Sequence, residues 1–252
     1  MSESNELNRR NFIVGATGAA LATRAFAGKL EPGRVIGAND RINVAVIGVG
    51  GRGSYVAREF HNVGKQENAQ IVQVCDVYQK RVTKNLDFYK SQGVETKGTL
   101  DWREVVNNKD VDAVIVATPD HWHATIALAA LDKGKDVYLE KPMCHTIAEV
   151  KQLMDTVKET KRVLQVGSQT TSGKQWWKAK ELISSGAIGP MVMSQGSYHR
   201  NSTEGEWNWP IDQAAGPQGK GEDYVDWKTW LGPAKNRPWD PDRFFRFRKY
   251  WD

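Results

Sequence analysis

From residue 42 onward, apolar positions follow two alternating rhythms. Short β-branched runs occupy 42–47, 71–76, 113–118, 136–140 and 163–167, lengths that suit buried strands. Between them lie stretches in which apolar residues recur every three or four positions, and these predict helices over 52–61, 79–90, 102–107, 123–131 and 147–159. Alternation of this kind predicts an α/β domain over 42–168, a doubly wound parallel sheet with helices on both faces. Residues 28–41 carry Gly28, Pro32, Gly33, Gly37, Asn39 and Asp40 without periodic apolar positions, the composition of a linker. After about residue 168 the character changes. Trp176, Trp177, Trp207, Trp209, Trp227, Trp230, Trp239 and Trp251 fall here, with one predicted strand over 191–198 amid Gly-, Pro- and Asp-rich sequence. A strand whose edges lack partners cannot close a domain. Residues 169–252 are therefore expected to be an incomplete α+β second domain, with a mainly antiparallel sheet, serving substrate binding and oligomerisation.

The amino terminus reads as an address. Asn8, Arg9, Arg10, Asn11, Phe12 and Ile13 precede a mildly apolar stretch over 14–22, which Thr23 and Arg24 separate from Ala25, Phe26 and Ala27. The order resembles a twin-arginine export signal with a small-residue cleavage site after Ala27, and predicts delivery to the periplasm or another extracytoplasmic space. A spanning helix needs about 20 apolar residues. This stretch is shorter, so no membrane span is expected.

Charge adds little. The net charge of +5 comes from 35 basic and 30 acidic residues spread along the chain, so a nucleic-acid partner is not expected. In the densest basic run, Arg243, Arg246, Arg248 and Lys249 alternate with Phe244, Phe245, Phe247 and Tyr250. That pattern suits a half-buried aromatic segment with a charged outer face. The two cysteines, Cys75 and Cys144, have no metal-ligand spacing and imply no disulfide framework. Whether they pair is left open.

Gly48, Val49, Gly50, Gly51, Arg52 and Gly53 follow the first strand directly and open the first helix. Gly48 permits a tight turn, Gly50 lets the backbone approach a pyrophosphate, and Gly53 lets helix and strand pack closely. A diphosphate would then meet free N–H groups at a helix N-terminus. Asp76 ends the second strand 76 − 53 = 23 residues later, where a carboxylate can accept from adenosine ribose hydroxyls. This is the Rossmann arrangement. Asp76 favours NAD over NADP by charge repulsion, although Arg52 and Arg81 could each pair a 2′-phosphate and keep NADP open.

Two polar clusters end successive strands: Thr118, Pro119, Asp120, His121, Trp122 and His123, then Glu140, Lys141 and Pro142. Ligands of open parallel sheets bind beside such ends. The sequence TPDHWHA followed by EKP, after the glycine turn, resembles the Gfo/Idh/MocA family, named after glucose-fructose oxidoreductase and inositol dehydrogenase, from about residue 42 to the end. The resemblance implies hydride transfer between NAD and a sugar-like or polyol carbinol carbon, with Lys141 hydrogen-bonded to the reacting oxygen and His123 as a second catalytic contact. It also implies that Thr118, Pro119, His121, Glu140, Lys141 and Gln169 lie around the cofactor, and that Gln165, Gly167 and Ser168 lie near the substrate. Packing or capping remains open for either histidine, and their i, i+2 spacing argues against a metal pair. The tryptophans and Tyr198 could face sugar C–H groups or serve as core.

Members of the family are longer and continue into a glycine-rich stretch carrying an Asp and an acid–base His. The chain is accordingly expected to be a fragment, or, if complete, to bind NAD with weak or no turnover; full-length protein is expected to form a homo-oligomer. The activity expected is that of an exported sugar or polyol oxidoreductase. The alternatives are an NAD-dependent glycosidase working by oxidation and elimination, and a non-catalytic NAD-binding relative.

Overall fold

The computed structural model describes residues 40–250, so the twin-arginine segment and residues 28–39 of the linker lie outside the described residues. Six strands, β1 (Ile42–Ile47), β2 (Ala69–Cys75), β3 (Lys97–Thr99), β4 (Ala113–Val116), β5 (Asp136–Glu140) and β6 (Leu164–Gly167), form one parallel sheet in the order β3-β2-β1-β4-β5-β6. The crossovers include helices α1 (Gly51–Gly64), α2 (Gln79–Ser91), α3 (Trp102–Asn107), α4 (His123–Asp132) and α5 (Ile147–Thr160).

The strands read as unbroken apolar runs because both faces of the sheet are covered. Along β1, Val44 and Val46 join one buried cluster with Val56, Ile71, Val82 and Tyr89. Ala45 and Ile47 face the other way, into a cluster with Val105, Ile126, Leu139 and Leu153. Local signals fix where the helices begin. Asp101 accepts from the Arg103 amide ahead of α3, and Thr146 with Glu149 closes a reciprocal capping box ahead of α5.

The last third departs from expectation. Residues 191–198 form no strand and are exposed, since no described segment pairs with them and an isolated strand leaves its amides unbonded. No antiparallel sheet forms among the described residues after 168; two isolated bridges, Tyr78 to Val225 and Gly216 to Tyr224, are found instead. A helix not foreseen, α6 (Lys174–Ser184), buries none of its residues. Two short helices, α7 (Trp227–Leu231) and α8 (Pro241–Phe245), fold back on the sheet domain. There Tyr78, Val225, Trp227, Trp230, Leu231 and Phe244 make a third apolar cluster, in which the Trp227 and Trp230 rings stack 4.7 Å apart. Cys75 and Cys144 are both free, and among the described residues no helix is long and apolar enough to cross a membrane.

Asp212 fastens this returning segment. Its carboxylate accepts from the Lys80 ammonium and the Tyr78 hydroxyl, each at 2.8 Å. Those two partners, Lys80 first, hold its pKa at about 2 against an ordinary 3.8. A carboxyl depressed in the folded state contributes stability above its unfolded pKa and loses it as pH falls through the folded one. Asp212→Asn should therefore flatten the acid arm of the unfolding curve between about pH 4 and 2, followed by tryptophan fluorescence. An unchanged acid profile would refute the contact.

Candidate active site

The strand order reverses between β1 and β4, and a cleft of about 470 Å³ opens there at the carboxyl ends of the strands. The glycine turn forms its floor. Gly48 has φ +88°, and a Cβ on it would lie 2.6 Å from the Ala117 carbonyl oxygen; a Cβ on Gly53 would lie 1.7 Å from the Gly48 oxygen. Gly50 has only the Arg81 guanidinium near its missing Cβ, and Gly51 has nothing within 4 Å. Helix α1 has no side-chain cap, which leaves its first N–H groups for an anionic ligand.

Asp76 is 6% exposed. It accepts from the Val49 amide at 3.0 Å and the Tyr78 amide at 3.1 Å, so it also fixes the turn. Burial raises its pKa, opposed mainly by Arg81, whose guanidinium stands 3.5 Å away.

Five cationic side chains line the cleft: Arg52, Arg81, Lys141, Arg200 and Arg248. Arg52 meets Glu140, which is 4% exposed, through Nε at 2.8 Å and Nη2 at 2.7 Å. Arg81 pairs with Asp76, Arg200 with Glu206 at 2.9 Å, and Arg248 with both oxygens of Asp120 at 2.8 and 3.0 Å. Lys141 has no hydrogen-bond or ion-pair partner among the described residues, and it is exposed to the cleft. The two arginines that kept NADP open are thus committed to carboxylates.

Thr118, Pro119, Glu140, Lys141 and Gln169 line the cleft with Gly48, Gly50, Gly53 and Asp76, whereas Gly51 does not, and the buried Thr118 Oγ1 has no hydrogen-bond partner among the described residues. The two histidines differ: His123 lines the cleft and His121 does not. His123 is 1% exposed, with Nδ1 2.6 Å from the Pro142 oxygen and Nε2 2.9 Å from the Thr118 oxygen. A neutral imidazole carries one N–H and so donates to one of these two carbonyls; wedged between them, His123 braces the Lys141–Pro142 turn against Thr118 while also lining the cleft. His121 is absent from the cleft wall; its Nε2 lies 2.7 Å from the Trp230 oxygen, and burial lowers its pKa. Gln165, Gly167, Ser168 and Tyr198 also lie off the wall. Sequence reasoning missed Arg200, Phe247 and Arg248, which line it, and left Trp207, Trp209 and Trp230, which also line it, open between sugar-facing and core roles. The alternating Arg and Phe residues over 243–250 carried a signal, but not the pairing of Arg248 with a residue 128 positions away. No group of residues suited to a metal ion occurs among the described residues.

A switch-point cleft with this glycine turn and a carboxylate after β2 defines a dinucleotide-binding oxidoreductase fold. The chain belongs to the Gfo/Idh/MocA oxidoreductase family: the family model, described as having an NAD-binding Rossmann fold, matches residues 42–168. A glycosyl hydrolase family 109 protein of Shewanella baltica (strain OS195) is 25% identical over 231 residues, 90% of this chain and 47% of the relative. An inositol 2-dehydrogenase of Salmonella paratyphi B is 32% identical over 170 residues, 67% of this chain and 49% of the relative. The structure of scyllo-inositol dehydrogenase from Lactobacillus casei with bound NAD(H) and scyllo-inositol superposes with a TM-score of 0.51 at 26% identity, covering 60% of this chain and 43% of that one. The chain spans about half the length of the curated relatives it matches. NAD is the cofactor of this family, and the residues present fit it: a Cβ-free cradle, an uncapped helix start, a carboxylate for the ribose and an unpartnered threonine hydroxyl.

Proposed function

We propose that the cleft oxidises or reduces a carbinol carbon of a sugar or polyol, with Lys141 holding the reacting oxygen. One observation carries this reading. Of five cleft cations, four are neutralised by a carboxylate, and Lys141 alone among the described residues is not. An unpaired ammonium at a strand end donates a hydrogen bond to a hydroxyl, stabilises negative charge growing on that oxygen and can take up its proton. NAD, when bound, supplies the hydride acceptor or donor. The Arg52–Glu140 pair and the His123 brace hold the backbone on either side of Lys141. Residues 1–27 carry the proposal of twin-arginine export, on the strength of Arg9, Arg10 and the Ala25–Phe26–Ala27 site.

Purified protein given NAD and a panel of sugars and cyclic polyols should raise absorbance at the reduced-nicotinamide band. Silence across the panel from a catalytically complete chain would overturn the reading. Asp76→Ala should weaken NAD on the order of tenfold to a hundredfold, losing both a ribose acceptor and the anchor of the Val49 amide. Titration by calorimetry reads that loss, and unchanged affinity would place the ribose elsewhere.

A second reading is favoured by the family 109 relatives, whose match extends over 90% of the chain. A glycosidase of this kind would release an aryl leaving group from an aryl glycoside without net reduction of NAD.

A further inference from the structure

We infer that Asp120 and His121 are positioning residues for the cofactor: they fasten α7 and α8 as a cover over the adenosine end of the cleft, and their hold sets how fast NAD enters and leaves. The inference concerns the cofactor alone and stands whatever the substrate. Neither residue lines the cleft, whereas their neighbours Pro119 and Trp122 do. What they touch is the segment that returns to the sheet. Asp120, its side chain 14% exposed, takes both ends of the Arg248 guanidinium at 2.8 and 3.0 Å, a bidentate pairing that fixes orientation as well as distance. His121 and Trp122 converge on one acceptor, the Trp230 carbonyl, at 2.7 Å from Nε2 and 3.0 Å from Nε1. That carbonyl belongs to the last turn of α7, where the helix supplies no amide for it. A carbonyl only accepts, so His121 carries a proton on Nε2.

The opposite edge of the cover is fastened just beyond β2. There the Asp226 amide donates to the Val77 carbonyl at 2.8 Å, the Gln79 amide donates to the Tyr224 carbonyl at 3.0 Å, and Asp212 holds Tyr78 and Lys80. The returning segment is therefore tied on both sides of β1, at the ends of β2 and β4. Between the ties Thr229, Trp230, Phe244 and Phe245 line the same cleft as Gly50 and Asp76. One side chain fills the depth between cover and turn: the Arg81 guanidinium reaches within 3.5 Å of where a Cβ on Gly50 would stand, and its centre lies 5.1 Å from that of the Phe244 ring.

Every tie joins groups of the chain itself, so the cover closes on the cleft whether or not a dinucleotide is in it. NAD seated on the glycine turn must pass where the cover stands, and both its entry and its departure wait for the cover to lift. With the same ties acting in the free and the bound protein, the open fraction multiplies both rates and cancels from their ratio. Weakening a tie from outside the cleft accordingly quickens exchange and spares affinity. Loss of a direct contact with the ligand differs, since it falls mainly on the departure rate.

Stopped-flow fluorescence with NADH measures both rates, arrival by mixing at rising NADH and departure by displacement with excess NAD. Asp120→Asn keeps the shape of the side chain and removes its charge. It should raise both rates by about tenfold, the effect of weakening one charge-assisted pairing, with Kd within about threefold of the parent. His121→Leu should raise both by about threefold or more, and His121→Gln, which offers an N–H in place of Nε2, should return them toward the parent's. A preserved Kd reports an intact fold and site. Unchanged rates in both Asp120→Asn and His121→Leu overturn the inference. So does loss of binding, or a faster departure with arrival unchanged or slower, since either outcome makes the two residues props of the binding wall rather than fastenings of a cover.

Discussion

Replacing Lys141 with alanine is expected to lower kcat by about 10²–10⁴-fold, the usual worth of a positioned acid–base group, while NAD affinity stays nearly constant. The expectation follows from the charge pairing in the cleft. Arg52, Arg81, Arg200 and Arg248 have carboxylate partners whose removal would disturb structure, whereas the Lys141 ammonium has none among the described residues, so its loss strands no buried anion. The split between kcat and cofactor affinity is the diagnostic feature. Steady-state kinetics with saturating sugar, beside a direct NAD titration, would read it. Equal losses in both would show that Lys141 holds the cofactor rather than the reacting oxygen, and Lys141→Arg should restore the charge without restoring the geometry of a compact ammonium.

Gly53→Ala is expected to be the most damaging conservative change in the sheet domain. Its Cβ would stand 1.7 Å from the Gly48 carbonyl oxygen, backbone against backbone, and neither side can step aside without opening the turn. The loss should be about 3–5 kcal/mol, the range reserved for overpacked or strained core sites, with NAD binding abolished. Gly51→Ala, two residues earlier in the same first turn of α1, meets nothing within 4 Å and should change stability by about 0.5 kcal/mol or less. Chemical denaturation of the two variants side by side separates a steric requirement from a general dislike of substitution in that turn. Similar losses in both would remove the steric explanation.

The sheet domain was legible because its signals are local and redundant. Strands buried on two faces appear as solid β-branched runs, and the helices between them keep a period of about 3.6. Strand β3 escaped because Lys97, Gly98 and Thr99 are short, largely exposed and carry no apolar rhythm. Residues 191–198 misled for the opposite reason: Met191, Val192 and Met193 look like a strand, but strand formation depends on a partner that no local pattern encodes. The site divides along the same line. Gly48, Asp76 and Lys141 each directly follow a strand and Gly53 sits in the first turn of α1, so local sequence sufficed to place them beside the cleft. Arg248 reaches the cleft through its pairing with Asp120, 128 positions away, which leaves no periodic trace, and Arg200 and Trp207 enter it from a stretch without regular structure. The motif brought His123 to the cleft wall, but its contacts with the Pro142 and Thr118 carbonyls join residues that no local pattern links.

The central place of β1 also bears on how the chain reaches this state. Val44 must wait for Ala113, 113 − 44 = 69 residues later, before its second edge is covered. Pairings of such long range slow the search for the native arrangement and leave an apolar segment bare in the meantime. Refolding from denaturant should consequently be sluggish and lose yield as protein concentration rises, because a half-sheltered β1 on one molecule finds another molecule's β1 before its own β4.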